Sequence, residues 1–91
     1  MKALELDQLR RDAKAVAEEF NVDIDISIND MEGSGVQVAG ERVELFVFRT
    51  MSDGQAPREW NERPNYAPGA KDLLARIKKD IKRAARSLYP A

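Results

Sequence analysis

Residues 22–28, VDIDISI, alternate without a break. Val22, Ile24, Ile26 and Ile28 fall on one side of an extended chain, and Asp23, Asp25 and Ser27 on the other. Successive strand side chains point to opposite faces, so a period of two carried by β-branched residues predicts a strand with one buried face. Such a strand needs partners along its edges and a layer over its apolar side. The rest of the chain has to supply both.

Two helical patterns supply the layer. In LDQLRRDAKAVAEEF, Leu6, Leu9, Ala13, Val16, Ala17 and Phe20 recur at three- and four-residue steps, predicting a helix over about 4–20. Asp7 or Asp12 suits its early turns through the helix dipole, and Asn21 suits its end. Over about 69–88, Leu73, Leu74, Ile77, Ile81, Ala84, Ala85 and Leu88 form a second stripe, stopped by Pro90.

The edge partners are predicted in GVQVAGERVELFVFRT, after a turn in NDMEGSG. A two-residue turn at Gly40 and Glu41 sets Ala39 opposite Arg42, Val38 opposite Val43, Gln37 opposite Glu44 and Val36 opposite Leu45. Asp53-Gly54 is a further turn signal, which admits a short strand near 56–60, at an edge because of Pro57. The expected fold is an α+β two-layer sandwich: helix, three-stranded antiparallel sheet, long loop over 51–69, helix, both helices on one sheet face. Residues 1–91 make one small domain with a modest core, at 43% apolar and 34% charged residues.

Composition narrows the chemistry. The chain has no Cys and no His, which excludes disulfides, thiolate catalysis and imidazole mechanisms. No apolar run reaches the ~20 residues that span a bilayer, and no signal-peptide core follows the start, so a cytoplasmic protein without a membrane segment is expected. DIDISINDMEGSG gathers Asp23, Asp25, Asn29, Asp30 and Glu32, but a calcium loop starting at Asp23 would need Gly and Glu where Ile28 and Ser34 stand. A looser cation site at Asn29, Asp30 and Glu32 is outweighed by a polar turn. Asp23 and Asp25 lie on an open face, without the cleft that separates the pKa values of an acid–base pair. Gly33-Ser34-Gly35 is too short for a phosphate loop. No enzymatic activity, catalytic residue, metal or cofactor is expected.

The register that turns Val43, Leu45 and Val47 toward the helices turns Phe46 and Phe48 away, beside Asp23, Asp25, Ser27, Gln37 and Glu44. Leaving both rings uncovered forgoes about 3–6 kcal/mol of burial, against a total stability of order 5–10 kcal/mol. Either the 51–69 loop folds back and covers the pair with Trp60, Tyr66, Met51 and Pro64, or the pair joins the loop aromatics as a surface for another protein. REWNERPNY holds Arg58, Trp60, Arg63 and Tyr66, types enriched at interface hot spots. The expectation is a small non-enzymatic protein-binding module, of the adaptor or inhibitor kind. Its contact residues would be Phe46, Phe48, Arg58, Trp60, Arg63 and Tyr66. A homodimer that buries the Phe pair is a further alternative.

Nucleic acid is the other candidate partner. Residues 70–91 carry seven basic and two acidic side chains, and residues 1–30 carry four and eight. Lys71, Lys78, Lys79, Lys82, Arg83 and Arg86 would bind phosphates from the outer side of the last helix. The helix–three strands–helix order is also that of the double-stranded-RNA-binding domain, and KKDIKRAA resembles the lysine pair and small residues of its second helix. Here the pair sits in mid-helix, the connection before it is far longer, and the loop that the family carries between its first two strands is missing. The chain is not assigned to that family.

Overall fold

The computed structural model describes residues 1–31 and 40–90, and in it the alternating stretch forms strand β1, Asp23–Met31. Ile26 is buried beneath helix α1, Ala3–Glu19, and Ile24 and Ile28 pack partly buried against the same core. Helix α1 is joined to β1 by a tight reversal. Asn21 adopts a positive φ of 56°, while its N–H donates to Glu18 and that of Val22 to Ala17. This is the left-handed helix stop that Asn tolerates better than branched residues, and it seats Val22 and Ala17 together in the core. The stop expected at Asn21 is in place.

Strand β2, Gly40–Arg49, runs antiparallel to β1, from Asp23 opposite Phe48 to Met31 opposite Gly40. Val43, Leu45 and Val47 are fully buried under α2, Leu73–Leu88, whose Leu73, Ile77, Ile81, Ala84, Ala85 and Leu88 complete the core. The fold is therefore the expected two-layer α+β arrangement of two helices and an antiparallel sheet, and among the described residues four strands lie between the helices, two of the strands only two residues long. Among the described residues no helix is long and apolar enough to cross a membrane.

The ladder differs from the expected one. Val43 faces Ile28 across one edge of β2 and Tyr66 across the other, so the expected pairing of Val43 with Val38 does not form. Residues 36–39 lie outside the described residues. Gly40 does take a positive φ, 112°, but as the first residue of β2 instead of a turn position. Val38 and Ile28 both satisfy a rule that sets apolar opposite apolar. The ladder through Ile28 runs for nine paired residues, and that longer match prevails.

The 51–69 segment completes the sheet. Strands β3, Arg58–Glu59, and β4, Asn65–Tyr66, both pair with the second edge of β2. The short edge strand expected near 56–60 is β3, and it follows Pro57. Between Glu59, opposite Phe48, and Asn65, opposite Glu44, the chain spends residues 60–64 against residues 45–47 of β2. The bulge therefore holds two surplus residues. Trp60 N–H donates to Val47 at 2.8 Å before it, and Leu45 N–H donates to Pro64 at 3.0 Å after it. Glu59 opposite Phe48 turns the next residue, Trp60, toward the helices, and Tyr66 opposite Val43 faces them too. The free edge of β1 is guarded by Arg10, which donates to the Ile26 carbonyl at 2.8 and 3.0 Å.

Candidate functional site

The sheet face without helices is built by alternation in three segments. Strand β1 contributes Asp23, Asp25, Ser27 and Asn29, and β2 contributes Arg42, Glu44, Phe46 and Phe48. Glu59 and Asn65 extend the face from the edge strands. Phe46 lies opposite Asp25, and Phe48 lies between Asp23 and Glu59. Both rings are partly buried.

The bulge returns one side chain to this face. Arg63 sets its guanidinium over the Phe46 ring, 5.5 Å from the centroid. Its Nε donates to Glu59 Oε1 at 2.8 Å, which holds it in place. That hydrogen bond, followed by the charge of Glu59, pushes the guanidinium above its already high pKa. The neighbouring carboxylates are partly satisfied: Thr50 donates to Asp23 at 2.8 Å, and the Asn29 amide donates to Glu44. The Asp25 carboxylate, beside Phe46, has neither a side-chain hydrogen bond nor an ion pair among the described residues.

Of the predicted contact residues, Phe46, Phe48 and Arg63 come together. Trp60 and Tyr66 do not: they are 2% and 7% exposed, in the core on the opposite side of the sheet. They neither cover the Phe pair nor stand beside it as contacts. Arg58, opposite Arg49, is exposed at the sheet edge and shares the helix-side parity of Trp60. The physical reason lies in the pairings: Glu59 opposite Phe48 turns Arg58 and Trp60 toward the helix side, and Tyr66 opposite Val43 does the same for Tyr66. Glu59, which orients Arg63, had no signal in the sequence, because four-residue spacing pairs side chains on a helix and residues 59–63 are not helical.

Trp60 and Tyr66 are tied to α2 by polar contacts. The Arg83 guanidinium lies 5.4 Å from the Trp60 ring centroid and bridges Asp80 at 2.8 Å and Glu62 at 2.9 Å. These hydrogen bonds, Asp80 first, raise its pKa further. Arg83 is thereby engaged within the molecule and drops out of the expected anion-binding set. Lys71, Lys78, Lys79, Lys82 and Arg86 form no ion pair among the described residues. Lys71 precedes the first turn of α2. The cation site considered at Asn29, Asp30 and Glu32 includes a residue outside the described ones. Among the described residues no group of three carboxylates is placed to hold a metal.

The Tyr66 hydroxyl donates to Asp80 at 2.5 Å. Burial first, then this hydrogen bond and the Asp80 charge, push its pKa well above the ordinary tyrosine value. A raised folded-state pKa gives stability that is present below the unfolded value, about 10, and is lost as pH rises beyond it. There the unfolded chain releases a proton that the folded chain keeps, at a limit of about tenfold in the folding constant per pH unit. The stability advantage of the wild type over Tyr66→Phe should therefore shrink between about pH 9.5 and 11.5. Urea midpoints of both proteins across that range check it, and a constant gap would refute it.

Comparison with protein-family models, with curated proteins and with solved structures found no match. The fold and surface together define a two-layer α+β domain with an aromatic, carboxylate-flanked sheet face opposite its helices.

Proposed function

We propose that this domain is a non-enzymatic protein-binding module, of the adaptor or inhibitor kind, and that its contact surface is the open sheet face around Phe46 and Phe48. The observation that carries this is the placement of two Phe rings on the face that neither helix covers, with Arg63 laid over one of them. An aromatic centre with a charged rim is the composition of a protein interface. Asp23, Asp25, Glu44 and Glu59 surround the rings, so a polyanion is repelled here. A protein segment pairing an apolar side chain with Lys or Arg is complementary, its cation meeting Asp25. The proposal places the module in the cytoplasm, as the sequence reading expects.

The test compares wild type with a Phe46→Ser/Phe48→Ser variant in affinity capture from nuclease-treated lysate of the source cell. A specific protein retained by wild type and lost by the folded variant supports the proposal. Reconstitution with that protein purified should then show affinity reduced at least about a hundredfold, since central aromatic anchors cost ≥2 kcal/mol each. Unchanged capture by the variant would refute it. A concentration-dependent mass that the variant abolishes would assign the face to a second copy of the chain.

A further inference from the structure

We infer that the cleft between the C-terminal ends of α1 and α2 binds single-stranded nucleic acid, with bases against its aromatic wall and phosphates along α2. The cleft is separate from the open sheet face and measures about 550 Å³. Phe20, Ala85 and Tyr89 give it an apolar lining, Lys82 and Arg86 stand on the α2 side, and Glu19 on the α1 side.

Tyr89 is the unusual residue. The residue is 38% exposed, yet it is held at two points. The hydroxyl donates to the Asn21 carbonyl at 2.6 Å, and the Arg49 guanidinium lies 4.3 Å from the ring centroid. Arg49 is itself fixed by donating to the Leu88 carbonyl at 2.7 Å. A clamped, exposed ring loses little freedom when a base stacks on it. Base stacking on such a platform tolerates any sequence, because every base has a π-face.

The cations sort to match. Arg76 and Arg83, on the flank of α2 away from the cleft, are neutralised by Asp72, Asp80 and Glu62. Lys78, Lys82 and Arg86 follow one another at four-residue steps, so they form a row on the flank toward α1. None forms an ion pair among the described residues, and neither does Lys79. Positive charge beside an exposed aromatic is the combination that single-stranded binding uses. A duplex keeps its bases stacked and has no use for the ring. Glu19, across the cleft, repels phosphate and confines the backbone to the α2 side.

Fluorescence anisotropy with a labelled single-stranded oligonucleotide of about ten nucleotides tests this on the whole chain. Saturable binding is expected, with log K falling against log salt at a slope near −2, for about three phosphates neutralised. Lys82→Glu/Arg86→Glu should weaken binding at least about tenfold, and Tyr89→Ala by about fivefold or more. Exposed Glu19→Gln should strengthen binding, a gain that loss of folding cannot imitate. Each of four results would overturn the inference: no saturable binding at low salt, equal affinity for duplex and single strand, indifference to Glu19→Gln, or binding to anionic phospholipid vesicles in place of the oligonucleotide.

Discussion

Trp60→Ala is expected to remove about 3–5 kcal/mol of stability, a large part of the 5–10 kcal/mol or so available to a domain of this size. The residue is 2% exposed, so truncation leaves a cavity in place of lost contacts. Its N–H pairs with Val47, which ties the bulge to the central strand. Arg83 rests on the ring while bridging Glu62 and Asp80, so losing the ring also loosens the α2 contact with the bulge. The measurement is a urea titration followed by far-ultraviolet circular dichroism. A midpoint within error of wild type would show that Trp60 is not core. Trp60→Phe, which keeps an aromatic ring in the site, should fall between the two.

The second large effect separates neighbours on one strand. Leu45 is fully buried toward the helices, and Phe46, the next residue, lies on the open face. Leu45→Ala should cost about 2–5 kcal/mol through lost transfer energy and a cavity. Phe46→Ala removes a larger side chain but should cost only about 1–2 kcal/mol, because the ring is partly buried and leaves no enclosed void. The usual expectation, that the larger aromatic matters more, is thus reversed by facing. Equal costs in chemical denaturation would contradict the assignment of the two faces.

The helices and β1 were legible because each presents a long periodic pattern with one solution. Six apolar residues from Leu6 to Phe20 admit only one helical face, and four from Val22 to Ile28 only one strand face. The partner of β2 was not legible, since Val38 and Ile28 meet the same facing rule. Phe46 and Phe48 were found because alternation along β2 holds whichever strand pairs with it. Trp60 and Tyr66 were misplaced for the opposite reason: their facing depends on where two-residue strands pair with β2, and strands that short leave no periodic pattern. The α2 helix begins at Leu73, later than its predicted start near 69. Turn hydrogen bonds from Ala70 to Ala67 and from Leu73 to Ala70 occupy that stretch first.

Residues 60–64 form no strand, yet the stretch is fastened to β2 at both ends, through the N–H of Trp60 and the carbonyl of Pro64. A change of length there is absorbed in the irregular stretch as long as both fastenings hold, because Tyr66 owes its facing to its own pairing with Val43. A change that undoes the pairing of Tyr66 also parts its hydroxyl from Asp80. The segment that looks freest to drift in the linear chain is, in the fold, a span tied down at two points.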